Sequence, residues 1–115
     1  MVELLKHEKL EVLNLNRTQL TDKGLGMLAK MASLHFLFVS QTKITDGGLE
    51  KLKFHKNLEG IYLDLTRITD VGLGHLQTIP NLRHVTLDRT EATSAGVEAF
   101  KKARPKCIVN FRARE

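Results

Sequence analysis

Cysteine is nearly missing from this chain, and its scarcity excludes more than most residues that are present. The single Cys107 in 115 residues rules out an internal disulfide and cannot alone make a thiolate zinc site. Tryptophan is absent and aromatic residues make up 5% of the sequence, so a core must be aliphatic and any exposed aromatic carries information. No apolar run approaches the ~20 residues that a membrane-crossing helix needs. The opening MVELLKHEKL is too polar and too short for a signal peptide, and nothing else assigns a compartment. The length predicts one domain. A formal charge of +5 admits nucleic acid or an acidic surface as partner, and the layout of charge must decide between them.

What is present is a repeat. Written in rows of 24, the sequence falls into register with no insertion or deletion, starting at Leu10, Leu34, Leu58 and Leu82. With Leu10 as position 1, position 4 holds Leu13, Leu37, Ile61 and Val85, and position 6 holds Leu15, Val39, Leu63 and Leu87. Position 9 is threonine four times, as is position 12. Position 13 is Asp22, Asp46, Asp70 and Ser94, and position 15 is always glycine. Apolar residues return at 16 and 19. The expected division is a partial repeat over 1–9, full repeats over 10–33, 34–57, 58–81 and 82–105, and a closing strand and tail over 106–115.

Each unit reads as a strand followed by a helix. Positions 4 and 6 alternate with variable neighbours, the period of a strand with one buried face. Threonine and aspartate at 12 and 13, just before apolar residues at 16 and 19, mark a helix N-terminus over roughly positions 13 to 22. The threonine at 9 is expected to bond loop backbone that would otherwise be buried unpaired. The glycine at 15 is expected to let the helix pack closely. No unit can bury its apolar side alone, so the units stack. Strands stack at about 4.8 Å and helices need about 10 Å, which bends the array with strands inside. The predicted fold is α/β, a right-handed solenoid with a concave parallel sheet of about five strands and convex helices.

The pattern LxxLxLxxTxITDxGLxxL, clearest in Leu34–Leu52 and Leu58–Leu76, resembles a leucine-rich repeat. It is similar to the ribonuclease-inhibitor-like and cysteine-containing subfamilies, and to units in bacterial repeat proteins and the substrate-receptor arms of F-box ubiquitin ligases. The resemblance covers Leu4 to Phe111. It implies a concave face that binds a partner, usually a protein.

The ends add two expectations. Residues 1–9 align with the back half of an earlier repeat, so the chain is expected to begin inside a helix without a polar cap. That points to a fragment, or to an end face covered by a partner or a second copy, which makes self-association through the N-terminal edge an alternative role. Near the other end, Pro105 stops the fourth helix and Cys107–Phe111 reads as a fifth strand, with Cys107 a small packed residue.

Function must sit in the variable columns. Positions 3, 5 and 7 face the concave side and place Phe36, Phe38 and Tyr62 on adjacent strands. Aromatics clustered on an exposed sheet face are what interface centres look like. The competing reading is that they cover one another. Asp64, Asp88, His84, Arg83 and Arg89 lie around them and would give polar specificity, with Arg89 close enough to balance the two carboxylates. The five histidines do not share a site: His7 and His55 are two repeats apart, and His35, His75 and His84 lack ligand partners. No metal, cofactor or catalytic constellation is expected, so the chain reads as a non-enzyme. Nucleic acid is an unlikely partner because the concave set sums to −1 and the aromatics and lysines fall on opposite sides.

Overall fold

The computed structural model describes residues 9–113; the partial repeat before Lys9, and with it the N-terminal edge, lies outside the described residues. Strand and helix alternate through β1 (Val12–Asn14), α1 (Asp22–Leu28), β2 (Phe36–Phe38), α2 (Asp46–Glu50), β3 (Gly60–Tyr62), α3 (Asp70–Leu76), β4 (His84–Thr86), α4 (Ser94–Ala103) and β5 (Ile108–Asn110). The five strands form one parallel sheet in chain order. Each pairs with the next at a shift of 24 residues, so that Val12 meets Phe36, Phe36 meets Gly60, Gly60 meets His84 and His84 meets Ile108. This is the predicted right-handed solenoid, with the sheet on the concave side and helices on the convex side.

The core is a set of columns. Leu25, Leu49, Leu73 and Val97 are buried in one, and Leu28, Leu52, Leu76 and Phe100 in another. Each column continues from repeat to repeat, so apolar surface that one unit cannot bury is covered by the next. The position-9 threonines close the loop after each strand: the hydroxyls of Thr18, Thr42, Thr66 and Thr90 donate to the carbonyls of Leu15, Val39, Leu63 and Leu87 at 2.6–3.0 Å.

The helix starts differ from the local reading of their sequence. Threonine at position 12 is the N-cap, accepting from the amides of Gly47, Val71 and Gly96 in the last three helices. The aspartate at 13 does not cap its own helix. It reaches one repeat onward: Asp22 accepts from the amide and hydroxyl of Thr45, Asp46 from those of Thr69, and Asp70 from those of Thr93. The glycine at 15 makes room for that carboxylate. A Cβ on Gly48 would lie 2.6 Å from Asp22 Oδ1, and one on Gly96 would run into the Asp70 carboxylate first. Thus 12, 13 and 15 are one device repeated along the array.

Helix lengths depart from the uniform expectation. α4 runs ten residues, α1 and α3 seven, and α2 only five. α1, α2 and α3 each contain two glycines, so glycine number does not set these lengths.

Gly96→Ala should lower stability by about 1 kcal/mol, because the displaced Asp70 loses its bonds to Thr93, outweighing alanine's better helix propensity. In an Asp70→Ala background the same change should instead raise stability by about 0.5–1 kcal/mol. Urea unfolding of the four variants checks the reversal of sign.

Candidate interaction surface

The register brings the position-3 and position-5 side chains into two rows across the concave sheet. One row runs Val12, Phe36, Gly60, His84, Ile108; the other runs Asn14, Phe38, Tyr62, Thr86, Asn110. Phe38 and Tyr62 stack with ring centroids 4.2 Å apart and planes 7° from parallel. Tyr62 meets His84 edge to face at 5.2 Å. Such pairs add about 0.5–1.5 kcal/mol beyond their buried area.

Gly60 is the floor of this cluster. It is buried, and a Cβ there would lie 2.9 Å from Phe36 Cδ1 and 3.0 Å from the Tyr62 hydroxyl oxygen. Phe36 and Tyr62 therefore close over the space a side chain would occupy. His84 is held on both sides, Nδ1 3.3 Å from the Tyr62 hydroxyl and Nε2 3.4 Å from Asn110 Nδ2. The result is a single aromatic–imidazole cluster in which Phe36, Phe38, Tyr62 and His84 are all half-buried. The rings cover one another in part, and their outer edges remain on the open face. Val12 and Ile108, 53% and 64% exposed, extend the row at its ends.

The charged residues do not gather around the rings as expected. Position 7 forms a ladder: Asn16 Oδ1 accepts from the amide of Ser40, Ser40 Oγ from that of Asp64, and Asp64 Oδ1 from that of Asp88, at 2.8–3.1 Å. Asp64 is therefore engaged in holding the next strand in register. Arg89 does not balance the carboxylates: among the described residues it forms no ion pair. Its backbone explains why. Position 8 lies in the left-handed region in every repeat, at Arg17, Gln41, Leu65 and Arg89, with φ of 55–59°, which re-aims the side chain. Arg89 lines a cavity of about 970 Å³ with Leu65, Arg67, Glu91 and Arg112. Arg83 sits at the opposite rim, exposed, next to Glu59. On that rim His35 lies 3.8 Å from Glu11 and 3.9 Å from Glu59.

The remaining nucleophile and ligand candidates have structural positions. Cys107 is buried at the last strand, and that burial raises its thiol pKa, with Arg104 opposing the shift only in part. His55 accepts from the Asn57 and Leu58 amides through Nδ1. Among the described residues no three His, Cys, Asp or Glu side chains are placed to hold a metal ion together. Four exposed apolar residues lie outside the sequence-predicted set: Ile108, Val71, Leu65 and Phe54. Ile108 was legible as position 3 of a fifth strand.

Five in-register strands backed by helices, on a 24-residue leucine pattern, define an α/β solenoid of leucine-rich repeats. A family profile described as Leucine Rich repeat matches residues 6–29, and the chain is similar to leucine-rich-repeat proteins. Among solved structures it is similar to "Leiomodin-1 Actin-Binding Site 2 (ABS2)", with a TM-score of 0.73 and 13% identity, over 96% of this chain and 76% of that one. At that identity the likeness is one of fold. No curated protein matches the sequence.

One atom of the concave face is out of place. Thr86 Oγ1 is buried, between Tyr62 and Asn110 in its row, and has no hydrogen-bond partner among the described residues. A buried unsatisfied hydroxyl costs about 1–3 kcal/mol. Thr86→Val keeps the shape and removes that cost, so it should stabilise the chain by about 1 kcal/mol in a thermal melt.

Proposed function

We propose that this chain is a non-enzymatic protein-binding module that uses its concave sheet face. The observation that carries the reading is the half-buried cluster of Phe36, Phe38, Tyr62 and His84 over Gly60. Interface hot spots favour large aromatics held rigid before binding, since little entropy is then lost. These rings fit: they are stacked, floored by a glycine and tied through His84 to the last strand. The polar residues of the reading, Asp64, Asp88, Arg83 and Arg89, would contribute at the rims, Arg89 through its own cavity. The structural neighbour supports the coarser part, since its title names a site that binds actin, a protein.

A non-enzymatic role is supported by the occupation of each reactive group. Asp64 holds the next strand, His84 is tethered at both nitrogens, and the Cys107 thiol is pushed away from its reactive thiolate.

The test compares proteins captured from the source extract by immobilised wild-type chain and by a Phe38→Ala/Tyr62→Ala variant. A partner specific to the concave face should lose at least about tenfold in affinity on removal of two central aromatics, while light scattering shows the oligomeric state unchanged. Undiminished capture of the same partner by the variant would end the concave-face reading.

A further inference from the structure

The edge of the solenoid where the helices end carries charge of one sign. Positions 18 to 24 of the four repeats contain Lys30, Lys51, Lys53, Lys56, Lys101, Lys102 and Arg104, and no aspartate or glutamate. That is +7 on one edge of a chain whose total is +5, which leaves −2 for all other residues. All six lysines are exposed, and among the described residues only Lys101 has a carboxylate within ion-pair distance, Glu98 at 3.9 Å. Arg104 is turned inward, donating to the carbonyls of Gln77, Ile79, Pro80 and Leu82. Cations also complement helix C-termini, but the charge here does not follow the helices. The shortest helix, α2, is followed by Lys51, Lys53 and Lys56, whereas the last turn of α3 holds only His75.

An exposed aromatic stands among these lysines. Phe54 is 67% exposed, and Lys53 Nζ lies 5.6 Å from its ring centroid. Its φ is 65°, in the left-handed region, and the other non-glycine residues with positive φ all occupy position 8. Both neighbouring repeats enforce this backbone. Thr78 Oγ1 accepts from the Phe54 amide at 3.2 Å, His55 Nε2 lies 3.1 Å from the Met31 carbonyl, and Asn57 Nδ2 donates to the Ala32 carbonyl at 2.7 Å. A strained residue locked by its surroundings points to a use for the conformation; here it holds a phenyl ring clear of the core. The aromatics and the lysines are therefore not wholly on opposite sides, as the sequence had suggested.

We propose that this edge is a peripheral docking surface for an anionic phospholipid bilayer, with Phe54 entering the headgroup region and the lysines facing lipid anions. The residue types favour a bilayer over a protein. Lysine is a flexible point charge suited to a diffuse anionic surface, whereas protein interfaces deplete lysine and enrich arginine for its fixed, bidentate geometry. Arg17, Arg67 and Arg89 lie on the strand side, away from this edge, and only Arg83 borders it, beside Asn81 and Arg104. One aromatic also falls short of the series of stacking platforms that single-stranded nucleic acid uses. The contact is superficial, since no described helix is long and apolar enough to cross a membrane. The negative remainder of the chain, including Glu11, Glu59, Asp64 and Asp88 about the sheet, turns the concave face away from an anionic surface. The proposal does not depend on what that face binds.

The test is flotation of the whole chain with vesicles of phosphatidylcholine alone or with about 30 mol% phosphatidylserine at about 0.1 M salt. Binding is expected only to the serine-containing vesicles and should be lost at about 1 M salt. Lys53→Glu/Lys56→Glu should lower partitioning by at least about twentyfold, since each cation near such a surface contributes about fivefold. Phe54→Gly should lower it about tenfold without lowering Tm, because glycine accepts the left-handed backbone and keeps the amide bonded to Thr78. Phe38→Ala/Tyr62→Ala should bind vesicles like wild type. The proposal is overturned if the wild-type chain ignores phosphatidylserine, if it binds both vesicles equally, or if the lysine variant binds as well as wild type. Tighter, Phe54-dependent binding of a single-stranded oligothymidine, or a Phe54-dependent complex with an acidic protein, would likewise overturn it and assign the edge elsewhere.

Discussion

A carboxylate that serves the next repeat rather than its own is the interaction on which this architecture rests. Asp22, Asp46 and Asp70 begin their own helices, where their charge suits the helix dipole, yet their oxygens bind the amide and hydroxyl of the following N-cap threonine. The threonine hydroxyl is thereby oriented, its lone pairs turned to its own helix. The glycine two residues past the aspartate keeps the gap between helices open for the carboxylate. Three residue types fix the helix-to-helix distance on the convex side, as ladder bonds fix it on the concave side. The curvature of the array, and so the shape of the face offered to a partner, follows from the difference between those two spacings.

How much of this was legible in the sequence depended on whether the cause was local. The leucine columns, the loop threonines and the strand register were readable because identical backbone in every repeat demands the same residue at the same place. The reach of Asp22 to Thr45 was not, because aspartate at a helix start has a sufficient local explanation as a cap, and only the spacing of stacked repeats decides otherwise. The position-7 ladder had a signal: Asn16, Ser40, Asp64 and Asp88 are all short side chains with an acceptor oxygen. The left-handed backbone at position 8 had none, since Arg17, Gln41, Leu65 and Arg89 share no residue type that favours it. That is why Arg89 was expected near the aromatics and lies instead in its own cavity.

The candidate surface divides in the same way. Phe36, Phe38 and Tyr62 could be placed on one face by counting, because a two-residue period over aligned strands leaves no alternative. Their mutual packing could not be counted, and it depends on Gly60 and His84, the two positions where the row departs from bulky apolar residues. Phe54 was invisible to the repeat because its left-handed backbone at position 21 is shared by none of the other described repeats. The two features that distinguish this array from a uniform solenoid are a floored aromatic cluster and an exposed phenyl ring on a basic edge.

The Arg104 guanidinium has a consequence for how the molecule comes apart. Three of its four bonds go to carbonyls of the preceding repeat and the fourth to Leu82, tying the loop after α4 to the body, and Thr93 caps that helix while donating its hydroxyl to Asp70. At the start of the described chain, Thr21 makes no side-chain capping bond. In a linear array each repeat leans only on its neighbours, so opening proceeds from whichever end is held less. Among the described repeats the fourth is therefore tied to its neighbour by bonds that the first does not make.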